Sequence, residues 1–180
     1  MATITFFGKI GIENYEAFEQ KMNESLEKEQ DLTIYISTGG GAMCLSQNMV
    51  DLINNYPYYI EVIFSGFTYS AGMLLLTKID YTLVDVNIME GTEGMVHLSD
   101  MEVSWRGMKN KHSYENFLKE NGNIHDECYL APLLPFLTKE EIENVYDGKE
   151  VYLNHNRLEE IIVTLQKEAE EKLNSEEYYE

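Results

Sequence analysis

Residues 64–76 read "FSGFTYSAGMLLL", an apolar run with serines at Ser65 and Ser70, the second with Gly66 before it and Ala71 and Gly72 directly after it. Upstream, "YIEVIFSG" (59–66) is rich in β-formers, and downstream the leucines continue as a short helix from about Ser70. Ser70 therefore falls at a strand-to-helix junction. A serine there is ordinarily a helix N-cap. Flanked by small residues, it is also a hydroxyl left open to a ligand, as in nucleophile elbows.

The segments on either side repeat the same alternation. "ATITFFG" (2–8) alternates β-formers up to Gly8, and residues 13–29 place Tyr15, Phe18, Met22 and Leu26 near helical spacing. "LTIYIS" (32–37) is a second strand, ended by the triple glycine 39–41, and "AMCLSQNMVDLINNY" (42–56) is a helix stopped by Pro57. After the Ser70 junction, "YTLVDVNIM" (81–89) and "GMVHLSDMEVSW" (94–105) read as two further strands. Strands alternating with helices imply a mainly parallel sheet with right-handed crossovers, so the fold class is α/β.

Beyond Arg106 the sequence turns to polar helix, interrupted at Gly122 and near Pro132 and Pro135. "LTKEEIENVYDG" (137–148) carries a capping signal in Thr138 and Glu141, "KEVYLN" (149–154) is a short strand, and residues 156–176 form a charged helix before a fraying tail. The expected organisation is an α/β core over 1–105, a helical region with a return strand of the same domain over 106–155, and a charged helix and tail over 156–180.

Composition narrows the function classes. The 180 residues carry 32 acidic against 13 basic side chains, a formal charge of −19. Phosphate binding needs clustered Lys and Arg, and the arginines here are Arg106 and Arg157 alone, so a nucleic-acid partner is not expected. An anionic membrane is disfavoured for the same reason, and the apolar runs are too short for a membrane span. Cys44 and Cys128 are too few for a disulfide framework, which points to reduced thiols in a cytoplasm. His112, His125 and His155 sit in polar stretches without metal-ligand spacing, so neither a metal nor an organic cofactor is expected.

Three features end predicted strands, where open α/β sheets place ligand sites: the glycine turn of "YISTGGGAM" (35–43), Ser70, and His97 in "GMVHLS" (94–99). In that order they resemble the Clp proteolytic subunit family, ClpP, within the wider ClpP/crotonase fold. The family's "YINSPGGSV" is similar to "YISTGGGAM", with its glycines on Gly40 and Gly41 and its proline replaced by Gly39. Its "ASMGAFLL" helix is similar to "YSAGMLLL", and its "MIH" strand to "MVH". "ITFFGKIGIENYEAFEQKM" (4–22) also resembles the family's first strand and helix.

The resemblance implies repeated β-α units around a mainly parallel sheet, with a helical handle-like region in the C-terminal half. It implies a serine endopeptidase: Ser70 as nucleophile, His97 as general base, and an oxyanion hole from the Gly40–Gly41 turn and Ala71. The acid falls on Glu150 when the strand "VYLN" is aligned, or on Asp147 when the preceding helix is aligned. A peptide or unfolded-protein substrate and a homo-oligomer follow. The family's axial segment, which engages an ATPase, precedes the first strand, whereas this sequence opens close to that strand, so an AAA+ unfoldase partner is left open. The alternatives are a catalytically inactive paralogue acting as an assembly or scaffold subunit, a crotonase-type enolate chemistry, and a serine–lysine dyad through Lys78.

Overall fold

Along residues 2–7, Ile4 and Phe6 are buried while Thr3, Thr5 and Phe7 are not, the period-two pattern of a half-covered strand. The computed structural model describes residues 1–98 and 130–176. In chain order the described elements are β1 (Ala2–Phe7), α1 (Ile12–Glu27), β2 (Leu32–Thr38), α2 (Met43–Asn54), β3 (Ile60–Tyr69), α3 (Ala71–Lys78), β4 (Asp85–Ile88), β5 (Glu93–Val96), α4 (Lys139–Tyr146), β6 (Val151–Leu153) and α5 (His155–Glu176). The chain divides into two compact units, Met1–Val96 with Tyr152–Glu180, and His97–Val151. Among the described residues no helix is long and apolar enough to cross a membrane.

The sheet of the first unit runs β1-β2-β3-β5-β6, with β4 also paired to β3. The ladders β1–β2, β2–β3, β3–β4 and β3–β5 are all parallel, as the strand–helix alternation requires. Ile4, Ile34 and Val62 lie in one register row and Phe6, Ile36 and Phe64 in the next, all buried. Against this face pack α1 on β1, α2 on α1 and α3, and α3 on β3 and β5. Helix α3 is buried on every side from Ala71 to Leu76, which makes it the central helix rather than a surface one.

Strand β3 is longer than the sequence predicts. It does not stop at Gly66 but passes through it to Tyr69. The register to β2 jumps from Ile36↔Phe64 to Thr38↔Thr68, so extra residues bulge out of β3 around Gly66, which adopts φ +69°. This bulge divides the strand between two neighbours. Before it, Glu61–Phe64 pairs β4; after it, Phe67–Tyr69 pairs β5. The expected strand over 81–89 is shorter, because Asp80 Oδ1 accepts from both the N–H (2.9 Å) and the hydroxyl (2.6 Å) of Thr82 and holds a turn there.

In the second unit Thr138 closes the capping box read from the sequence. Its Oγ1 accepts from the Glu141 N–H at 3.2 Å, and its own N–H donates to Glu141 Oε2 at 2.7 Å. Around Pro135 the chain makes a 3₁₀ turn, Leu134–Phe136, in place of a continuous helix. The expected strand beyond Leu98, the break at Gly122, and His112, His125 and Cys128 lie outside the described residues.

Replacement of Gly66 tests the bulge. An alanine there would hold φ +69° with its Cβ 2.9 Å from Ser37 Oγ. Gly66→Ala is expected to cost about 1–2 kcal/mol in urea unfolding, the usual penalty of a left-handed non-glycine residue. An unchanged midpoint would mean that the bulge does not depend on glycine.

Candidate active site

Ser70 occupies the step from β3 to α3 with φ +53° and ψ −121°, a backbone region that non-glycine residues rarely enter. Such a conformation costs on the order of 1–3 kcal/mol and persists only where the surroundings enforce it. Here two backbone bonds do so. The Ser70 N–H donates to Met95 O on β5 at 2.8 Å, and Ser70 O accepts from the Met73 N–H at 2.8 Å. Ser70 makes no side-chain cap to its own helix, so its hydroxyl is not committed to the ordinary N-cap role. Ala71 opens α3, where an amide has no intrahelical acceptor.

The glycine turn follows β2 and lies against this junction. A Cβ on Gly40 would sit 2.7 Å from Ser70 Cβ, 2.7 Å from Tyr69 O and 3.2 Å from Ala71 N, so only glycine fits. The Gly40 N–H donates to Thr38 Oγ1 at 3.0 Å and is therefore turned inward; Gly40 O accepts from the Ile10 N–H at 2.8 Å. Gly41 is pinned on the other side, bridged to Ile10 and pressed against its carbonyl, while the next amide, Ala42, donates to Ile10 O at 2.9 Å. The structure thus brings Gly40, Gly41, Ser70 and Ala71 together at the carboxyl ends of β2 and β3, where open parallel sheets bind ligands.

Two residues that the sequence did not single out support this junction. Ser46, fully buried on α2, donates from Oγ to Ala71 O at 2.7 Å. It falls in the stripe Ser46, Met49, Val50, Ile53, so a lone hydroxyl on an apolar helical face was the available signal. Thr38, also fully buried, takes the Gly40 amide as described. On β3, Phe67 and Tyr69 share one side of the strand, rings 5.5 Å apart, and Tyr69 contacts Tyr152 at 5.9 Å. Burial, then its hydrogen bond to Glu93 (3.0 Å), raises the Tyr69 phenol above its ordinary pKa.

His97 follows the last residue of β5 in the chain and begins the second unit, half-buried. Asp147 and Glu150 belong to the same unit and are both exposed. Asp147 caps the C-terminus of α4 and pairs with Lys149 at 3.5 Å. Lys78 closes the far end of α3 and donates to Gln47 Oε1 at 3.2 Å, which separates it from Ser70 by the length of the helix. Cys44 is an exposed free thiol. Among the described residues no three His, Cys, Asp or Glu side chains converge to hold a metal ion.

No protein-family model matches this sequence, and no curated protein is significantly similar to it. Solved structures are: among 361 matching chains is a point mutant of ClpP1 from Listeria monocytogenes, at a TM-score of 0.67 over 88% of this chain and 86% of that one. The sequences are 15% identical, so the likeness is one of fold.

The glycine turn provides a contrast between neighbouring positions. Gly40→Ala is expected to lower stability by about 1–3 kcal/mol, because the new methyl meets backbone and Ser70 Cβ rather than a yielding side-chain tip. Gly39→Ala, with nothing within 4 Å of its Cβ, is expected to stay within about 0.5 kcal/mol of wild type. Chemical unfolding of the two variants side by side checks this. From the glycine turn to the structural match, the observations agree on one architecture: the chain has a ClpP-like α/β fold with a mainly parallel sheet.

Proposed function

We propose that this chain is a ClpP-like serine endopeptidase that hydrolyses peptide bonds through an acyl-enzyme. The observation that carries the reading is the backbone of Ser70: φ +53° at a strand-to-helix step, no cap to its own helix, and a glycine packed against its Cβ. Strain of this kind gathers where a fold holds a group for chemistry, and it supports a nucleophile more than a structural serine.

In this reading Ser70 Oγ attacks the scissile carbonyl carbon as His97 accepts its proton. The carbonyl oxygen becomes an oxyanion that takes hydrogen bonds from the Gly41 and Ala71 amides. Collapse breaks the C–N bond, His97 returns the proton to the leaving amine, and water then hydrolyses the Ser70 ester by the same sequence. A donor of this kind contributes about 3 kcal/mol to the transition state. Gly40, whose amide is occupied by Thr38, supplies close approach in place of a hydrogen bond. Glu150, or Asp147 in its place, orients His97. A peptide or unfolded-protein substrate, a homo-oligomer and a cytoplasmic setting belong to the same reading, with an AAA+ unfoldase partner left open.

One observation favours a second reading, an inactive paralogue that keeps the fold as an assembly subunit. Both candidate acids are exposed, and Asp147 is paired with Lys149. The same experiment separates the two. Incubation with a fluorophosphonate probe is expected to add one adduct to the wild type, by intact mass, and none to Ser70→Ala. Ser70→Ala and His97→Ala are expected to lower kcat/KM on a fluorogenic peptide by roughly 10⁴-fold or more. Of Glu150→Gln and Asp147→Asn, the one that removes the orienting acid is expected to lose about 10²-fold or more. Folded wild-type protein that takes no label and cleaves no peptide, in every oligomeric fraction, would leave the paralogue reading standing.

A further inference from the structure

Two hydroxyls lie beneath the Ser70 junction, each fully buried and each hydrogen-bonded to the backbone of one arm of it. Burying a hydroxyl costs free energy unless it is hydrogen-bonded, and even then the net gain is small, so an apolar residue would serve the core at least as well. Ser46 occupies an apolar helical stripe, where alanine would fill the same place. Its target, Ala71 O, lies in the first turn of α3, where the helix itself offers that carbonyl a donor four residues on. The Ser46 bond is therefore not needed to satisfy Ala71 O. What it adds is a second hold on the Ala71–Gly72 peptide, directly after the Ser70–Ala71 peptide that carries the Ala71 N–H and that Met73 holds through Ser70 O.

Thr38 acts on the other arm. By taking the Gly40 N–H it turns that amide away from the junction, while Ile10 holds the Gly40 carbonyl and the Ala42 amide. The Gly41 N–H shares a peptide with the Gly40 carbonyl that Ile10 holds, and Thr38 braces the peptide just before it. The two arms adjoin: a Cβ on Gly40 would lie 3.2 Å from Ala71 N.

We propose that Thr38 and Ser46 are positioning residues of the oxyanion hole, two buried hydroxyls that brace the peptides adjoining those that carry the Gly41 and Ala71 N–H groups before substrate arrives. The inference rests on the peptidase reading given above. Its physical content is preorganisation: donors already aimed at the developing charge need no rearrangement during reaction. Because that charge appears only in the transition state, loosening an arm lowers kcat and leaves KM nearly unchanged.

The test compares full-length wild type, Ser46→Ala, Thr38→Val and Thr38→Ser on one fluorogenic peptide. Affinity is measured for the matching peptide aldehyde, whose adduct with Ser70 carries the oxyanion, and for the corresponding carboxylic acid. Loss of a whole oxyanion donor costs about 10²–10³ in kcat, so an arm that is kept but loosened is expected to cost roughly tenfold. Ser46→Ala and Thr38→Val should show that loss in kcat, a KM within about twofold, and an aldehyde affinity that weakens in step with kcat/KM while the acid is unaffected. Thr38→Ser, which restores the hydroxyl without the methyl, should recover most of the turnover lost in Thr38→Val. Thr38→Ser as slow as Thr38→Val, or losses that appear in KM and acid affinity, would assign both residues to packing alone and overturn the inference. Unchanged kcat in folded Ser46→Ala and Thr38→Val, beside an active wild type, would overturn it while leaving the peptidase reading intact. A wild type that neither turns over nor takes the probe would overturn both.

Discussion

The end of β2 and the beginning of α3 come closer than side chains allow, and the structure depends on that approach. A Cβ on Gly72 would lie 2.6 Å from Thr38 Cγ2, and one on Gly40 would lie 2.7 Å from Ser70 Cβ. Glycine at both positions lets a helix dock end-on against two strand termini. Once docked, α3 is enclosed by β3, β5 and α2, which is why its residues from Ala71 to Leu76 are all buried. The same docking holds Ser70 in its unusual backbone region, since Met95 on one side and Met73 on the other fix its peptide groups. The strained residue is thus a product of the packing around it.

That packing also bears on Ser70, which interrupts the apolar run before α3. An N-cap serine spends its oxygen on the first turn of its own helix. Ser70 does not. The turn is held instead by backbone bonds and, at Ala71, by a hydroxyl from α2. At this helix start neighbouring residues, not the Ser70 side chain, do the capping.

Much of the fold was legible because periodicity reports burial directly. Strands with alternating apolar residues and helices with a spaced apolar stripe fell where expected through β2, α2 and α3, and the capping box of Thr138 and Glu141 formed as its spacing implied. Gly66 was misread because glycine marks both strand ends and bulges, and only the pairing partner tells them apart. Residues 81–84 look β-forming, yet the Asp80 carboxylate offers that backbone a turn. Of the candidate site, Ser70 and the glycines were legible from the order of small residues after strands. Thr38 and Ser46 were not, since a small hydroxyl within an apolar pattern reads as filler. Between the candidate acids the sequence does not choose, because Asp147 and Glu150 flank one turn, close in sequence and both polar.

The sheet is completed by a strand that comes late. β6 joins the edge of β5, but residues 97–150 lie between them in the chain. During synthesis β5 is made before β6, and it lacks that neighbour while residues 97–150 are made. An open edge is a template for pairing with another chain. The interval before Tyr152 and Leu153 leave the ribosome is therefore one in which that edge is available for mispairing, and slowing translation across that stretch would lengthen it.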